Sequence, residues 1–187
     1  MLADPPAPVV RSVTETNPSA VLPGKEVGDW FVLRTRSRQE KILANDLRAR
    51  GVGFFLPMIR VERMYCNRRV QVELPLFAGY LFLRGSFDDA YFADRTGRVA
   101  QIIQVSDQRR LDWELNNLAH VLGINTRVDP YPYLKRGVRV EVRSGPLRGI
   151  QGLIEDRTRK HRLILQVDAL GQAVSVEVDA AIVEVVE

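Results

Sequence analysis

Lys135-Arg136-Gly137-Val138-Arg139-Val140-Glu141-Val142-Arg143-Ser144-Gly145-Pro146-Leu147-Arg148-Gly149-Ile150-Gln151-Gly152-Leu153-Ile154 decides the fold of the C-terminal part of this chain. Val138, Val140 and Val142 alternate with Arg139, Glu141 and Arg143, the period-two pattern of a strand with one buried and one wet face. Gly145-Pro146 ends that strand, and Gly149 and Gly152 sit where a bulge or a close backbone approach is expected. Three further alternating runs follow, Arg162 to Val167, Ala173 to Val178 and Ile182 to Val185. Five short strands joined by Gly-containing turns within residues 135–187 predict a small SH3-like β-barrel.

Working outward, residues 124–134 hold Pro130 and Pro132 among polar neighbours and read as an interdomain linker. Before it, Leu111, Leu115, Leu118 and Leu122 recur at helical spacing, which predicts an amphipathic helix after Ser106. Val99 to Val105 reads as a strand and Asp88 to Arg95 as a short helix, with Asp88 and Asp89 as capping and dipole complements. Tyr80-Leu81-Phe82-Leu83 is apolar on both faces and predicts a central strand. Val70, Val72 and Leu74 alternate as a strand after a turn at Tyr65 to Arg69. Phe54 to Arg63 is extended, with Pro57 forcing an edge or bulge. Trp30 to Thr35 is a further strand. Ser37-Arg38-Gln39-Glu40 spells a capping box for a helix that ends at Gly51 and buries Ile42, Leu43 and Leu47.

The order strand, helix, hairpin, strand, helix, strand, helix predicts an α+β unit over residues 29–123, an antiparallel sheet flanked by helices in the ferredoxin-like style. Residues 1–28 are proline-rich and read as a disordered leader without the basic-then-apolar block of a signal peptide.

The chain of 187 residues is 45% apolar and 27% charged, the composition of a globular protein. No apolar run approaches the roughly 20 residues that span a bilayer. The single cysteine, Cys66, excludes an internal disulfide framework and fits a reducing, cytoplasmic setting. The net charge of +4 is unevenly spread. Residues 135–162 carry nine Lys/Arg against three acids, residues 34–50 six against two, and residues 163–187 five acids and no Lys or Arg. Two basic stretches point towards nucleic acid.

Catalytic patterns are missing. His120 and His161 have no second metal-type ligand nearby in sequence, and both read as structural or solvated. No phosphate-binding Gly motif opens a helix. No enzyme, metal or cofactor is expected. Recognition chemistry is concentrated instead in Phe77-Ala78-Gly79-Tyr80-Leu81-Phe82, which with Trp30 and Phe31 could fill a core with one face and receive a partner helix on the other.

Gly137-x-x-Val140, Gly145-Pro146-x-x-Gly149-x-x-Gly152-x-Ile154 and Leu170-Gly171 resemble a KOW domain. Joined to Trp30-Phe31-Val32-Leu33, the basic helix and Leu76-Phe77-Ala78-Gly79-Tyr80-Leu81-Phe82, they resemble the NusG family of transcription elongation factors over residues 29–186. The resemblance implies a monomer whose N-terminal domain grips the clamp helices of RNA polymerase, bridges the main cleft and suppresses pausing. It assigns the grip to Trp30, Arg34, Phe77, Tyr80 and Phe82. Arg36, Arg38 and Lys41 would face upstream DNA or the non-template strand, where flexible cations supply affinity but little sequence information.

Two departures bear on the type of factor. Housekeeping members usually carry Phe-Pro-Gly-Tyr where this chain has Phe77-Ala78-Gly79-Tyr80. They typically have Phe-Gly-Arg where it has Leu170-Gly171-Gln172, the loop that in the family meets a small-subunit ribosomal protein or Rho. The loss of an aromatic and a cation removes hot-spot chemistry there. Phe54 to Leu76 looks more like the specialised antiterminators related to RfaH, and that reading is favoured. A housekeeping factor of the family that couples polymerase to Rho or the ribosome, and a ribosome-associated RNA-binding KOW protein, are the alternatives.

Overall fold

The computed structural model describes residues 10–11, 28–65, 68–124, 126, 128–131, 133–134, 137–154 and 162–186. In chain order these form β1 (Val10–Arg11), β2 (Asp29–Thr35), α1 (Glu40–Arg50), β3 (Gly53–Phe55), β4 (Met58–Tyr65), β5 (Arg68–Pro75), β6 (Tyr80–Gly85), α2 (Phe87–Arg95), β7 (Val99–Gln104) and α3 (Gln108–Gly123). The C-terminal part adds β8 (Val128–Tyr131), β9 (Val138–Val142), β10 (Gln151–Ile154), β11 (Arg162–Val167), β12 (Gln172–Glu177) and β13 (Val183–Val185).

The N-terminal unit is built on a four-stranded antiparallel sheet of order β3-β6-β2-β7. This is the expected α+β arrangement with the apolar β6 inside the sheet. Alternation sorts its side chains by face. Phe31, Leu33, Leu81, Leu83 and Phe54 pack on Leu43, Ala44 and Leu47 of α1 and Ala90 and Ala93 of α2. Trp30, Val32, Phe55 and Phe82 point the other way, into the cluster that holds Leu111, Leu115 and Leu118 of α3. The β4-β5 hairpin forms a second sheet with β1, order β1-β4-β5, and adds Ile59, Val61, Leu76 and Phe77 to that cluster. Strand β1 thus falls within the stretch expected as a disordered leader, whose other residues up to 27 lie outside the described ones.

The helix caps divide the expectations at α1 and α2. Asp89 completes a capping box with Ser86, its carboxylate accepting from the Ser86 amide at 2.9 Å. Those bonds, from the Ser86 side chain and backbone, hold the Asp89 carboxyl below its ordinary range. The capping box predicted at Ser37 does not form. Gln39 is the N-cap without a side-chain bond, and Arg38 turns the chain with φ of 60°. The Glu40 carboxylate instead accepts the Gly79 amide at 2.7 Å. Ile42, expected inside, is 43% exposed, while Leu43 and Leu47 are fully buried.

The C-terminal part is all-β and antiparallel, with sheet order β13-β9-β10-β11-β12-β8. All five expected strands are present. Gly152 carries the tightest approach: a Cβ there would meet the Ile164 carbonyl oxygen at 2.6 Å and Leu163 Cδ1 at 2.9 Å. The sixth strand, β8, comes from the stretch read as a linker. Val128 pairs with Val176 and Pro130 with Val174, and Val128 is fully buried. Proline is tolerated because β8 is the outer strand of its sheet and need not donate to a further neighbour.

Helix α3 packs against both β2 and β11. One continuous apolar cluster therefore runs from Trp30, Val32 and Phe82 through Leu111, Leu115 and Leu118 to Val140, Leu163, Leu165, Val174 and Val176. The two units are joined across a shared core helix. No described helix is long and apolar enough to cross a membrane.

Candidate functional site

Arg34 and Tyr80 are register partners at one end of the β2-β6 pair, with Arg34 exposed and Tyr80 half-buried. The bend before Tyr80 is fixed by backbone bonds. Gly79, with φ of 84°, donates to Glu40 Oε1, and its carbonyl accepts from the Thr35 amide at 2.8 Å. The Tyr80 amide donates to the Phe77 carbonyl at 3.1 Å. Most residues resist this positive φ, which accounts for glycine at the bend. Beneath it, the Phe77 and Phe82 rings meet edge to face with centroids 6.2 Å apart, and Phe55 lies 6.2 Å from Phe82.

Of the five residues assigned to the grip, three are therefore interior. Phe82 is fully buried, and Phe77 and Trp30 are 2% and 1% exposed. Both sheet faces are covered, one by α1 and α2 and the other by α3 and the hairpin, so the face expected to receive a partner helix is not open. The physical reason is α3, whose leucine stripe needs an apolar surface and takes the one carrying Trp30 and Phe82.

Trp30 sits at the opposite end of β2 and anchors the start of α3. Its amide donates to Gln108 Oε1 at 2.6 Å, its carbonyl accepts from Gln108 Nε2 at 3.0 Å, and its indole Nε1 donates to Asp112 Oδ1 at 2.9 Å. Arg84 lies over the indole ring at 5.1 Å and pairs with the same Asp112 carboxylate.

Arg36, Arg38 and Lys41 are all exposed on the corner between β2 and α1. Lys41 Nζ donates to the Glu73 carbonyl at 2.9 Å, which leans that cation against the hairpin. The fold thus gathers Arg34, Tyr80, Arg36, Arg38 and Lys41 at one end of the sheet, and leaves Trp30 at the other.

Leu170, Gly171 and Gln172 lie far along the chain, at the turn between β11 and β12. Asp168–Leu170 makes a single 3-10 turn, and Gly171 reverses the chain with φ of 59°. Leu170 is half-buried against the shared core. This turn is docked on α3, where the Asp168 amide donates to Glu114 Oε2 at 3.1 Å. His120, exposed on α3, reaches the Pro146 carbonyl at 3.2 Å, and His161 lies outside the described residues.

The docking contact contains the group that sequence reasoning missed. Glu114 is 5% exposed. Arg110 Nε donates to its Oε1 at 3.1 Å. The same guanidinium pairs with Asp168, whose Oδ1 accepts from the Tyr133 hydroxyl at 2.8 Å. Burial pushes the Glu114 carboxyl up to about 7, against the opposing pull of the Arg110 hydrogen bond. The bond to Asp168 raises the Tyr133 hydroxyl in turn. A signal was present in the sequence: Glu114 interrupts the Leu111-Leu115-Leu118 stripe at a position that faces the core.

The candidate site thus sets a half-buried aromatic and an exposed cation over a buried apolar floor, beside a basic corner. Residues 28–111 match the family model described as "Transcription termination factor nusG". Among solved structures, the chain is similar to one described as "Domain interaction in Thermotoga maritima NusG", at 21% identity, covering 85% of this chain and 97% of that one, with a TM-score of 0.46. It is also similar to "Crystal Structure of MjSpt4:Spt5 complex conformation B", at 16% identity, covering 84% and 96%, with a TM-score of 0.28. No curated protein matches the sequence.

Proposed function

We propose that this chain binds RNA polymerase during elongation and suppresses pausing and termination, in the manner of a specialised antiterminator. The observation that carries the reading is the convergence of Arg34, Tyr80 and the basic corner at one end of the sheet, inside the segment that matches the family. Tyr80 and Arg34 make the contact with the clamp helices. Phe77 and Phe82 hold Tyr80 from below, and Trp30 holds α3. Arg36, Arg38 and Lys41 extend the surface towards upstream DNA or the non-template strand. The turn Leu170-Gly171-Gln172 contacts a ribosomal protein or Rho weakly, since it offers neither an aromatic nor a cation.

Binding of the full chain to RNA polymerase tests the grip. Tyr80→Ala with Arg34→Ala should weaken binding at least tenfold, as truncation of an interface aromatic typically costs ~2 kcal/mol. Both side chains have solvent access, so circular dichroism should be unchanged. Equal affinity of wild type and double variant would reject the site. The family description names termination, which favours a housekeeping factor as the second reading. Strong stimulation of Rho-dependent termination by the full chain would select it over antitermination.

A further inference from the structure

We propose that the contact between α3 and the C-terminal sheet is a proton-sensitive junction, in which Glu114 and Asp168 share the Arg110 guanidinium and uptake of one proton favours the docked arrangement. Two carboxylates, one cation and the neutral Tyr133 hydroxyl meet where the Asp168–Leu170 turn packs on α3. Glu114 is buried, so water does little to offset the excess negative charge. Among the described residues, two further charged groups flank it: Asp107 lines the hollow on the side of β7, and Arg139 of β9 is exposed in the cleft on the other side.

Undocking would hydrate Glu114 and separate it from Asp168, which returns its carboxyl towards the ordinary value of 4.5 from about 7. An acid whose affinity for protons is higher in the docked state takes up a proton on docking. Docking is then most favoured below about pH 4.5 and weakens as pH rises to 7, beyond which it is constant. Over the interval from pH 5 to pH 8 this linkage amounts to a change in docking constant on the order of 50-fold. The 3-10 turn held by Glu114 leads directly into Leu170-Gly171-Gln172, so the same proton governs how tightly that turn sits on α3.

The full chain reports docking by energy transfer between dyes placed through Ala78→Cys and Ser144→Cys, both exposed, in a Cys66→Ser background. A urea series that leaves the far-ultraviolet circular dichroism unchanged brings the docked population to half at pH 7. The docking constant should fall by several tens of fold from pH 5 to pH 8. Glu114→Gln keeps the acceptor for the Asp168 amide without a charge, and should dock with little pH dependence. Asp168→Asn removes the second carboxylate and should move the midpoint to lower pH. A constant equal at pH 5 and pH 8 would overturn the proposal, as would a Glu114→Gln protein as pH-dependent as wild type. A midpoint unmoved by Asp168→Asn would overturn the shared-guanidinium argument.

Discussion

Asp112→Ala should destabilise the chain by about 3 kcal/mol, because one carboxylate serves two otherwise buried donors. Its Oδ1 accepts the Trp30 indole N–H at 2.9 Å and pairs with Arg84, whose side chain is 17% exposed against 29% for Asp112. Trp30 is almost wholly buried, so its N–H cannot find water when the carboxylate goes. An unsatisfied donor of that kind costs roughly 1–3 kcal/mol. Arg84 loses its ion-pair partner, and breaking a fully buried pair costs roughly 3–5 kcal/mol. Residual solvent access to both groups reduces that second cost to about 1–2 kcal/mol, in line with the weakness of solvated pairs. Asp112→Asn keeps an acceptor for the indole and removes only the charge, and should lose about half as much. Equilibrium unfolding in urea measures the difference, with circular dichroism beside tryptophan emission. Loss of the bond should also alter the emission of buried Trp30, although the 42% exposed Trp113 contributes a constant background. A loss below about 0.5 kcal/mol for Asp112→Ala, the range of an ordinary surface change, would show that Trp30 is not the anchor of α3.

Gly152→Ala places a methyl against the Ile164 carbonyl at 2.6 Å and should cost at least ~2 kcal/mol, visible as a lower urea midpoint. Gly171→Ala meets nothing within 4 Å, so only its φ of 59° opposes it, and a loss of about 1 kcal/mol is expected in the same assay. Leu118→Ala empties a position that is 1% exposed within the shared core, and should cost about 2–5 kcal/mol and weaken docking as well as folding. Changing Arg36, Arg38 and Lys41 to Ala should flatten the salt dependence of binding to a transcription complex, by up to ~0.9 in logarithmic slope for each duplex phosphate that the variant no longer neutralises. An unchanged slope would leave these as solvated charges.

Local patterns determined most of the elements, because alternation and helical spacing are properties of neighbouring residues. Val138-x-Val140-x-Val142, the leucines of α3 and the doubly apolar Tyr80 to Leu83 each specify an element without outside help, and their order specifies an antiparallel sheet with helices followed by an all-β unit. Gly152 was legible as a close approach, though not what it approaches. The basic corner was legible because exposed cations depend little on packing.

Tertiary structure decided what each apolar face meets. Nothing local distinguishes a face that binds a partner from one that packs on another part of the chain, so Trp30, Phe77 and Phe82 read locally as a recognition surface, whereas the fold buries them in one cluster with the leucines of α3. The Ser37 box failed because Glu40 found a distant amide at Gly79, and β8 arose from a proline-containing stretch because β12 offered an open edge. The same holds most strongly at Glu114. Its place in the leucine stripe was written in the sequence, but Asp168 lies 54 residues away, and only folding brings the second carboxylate to the same guanidinium.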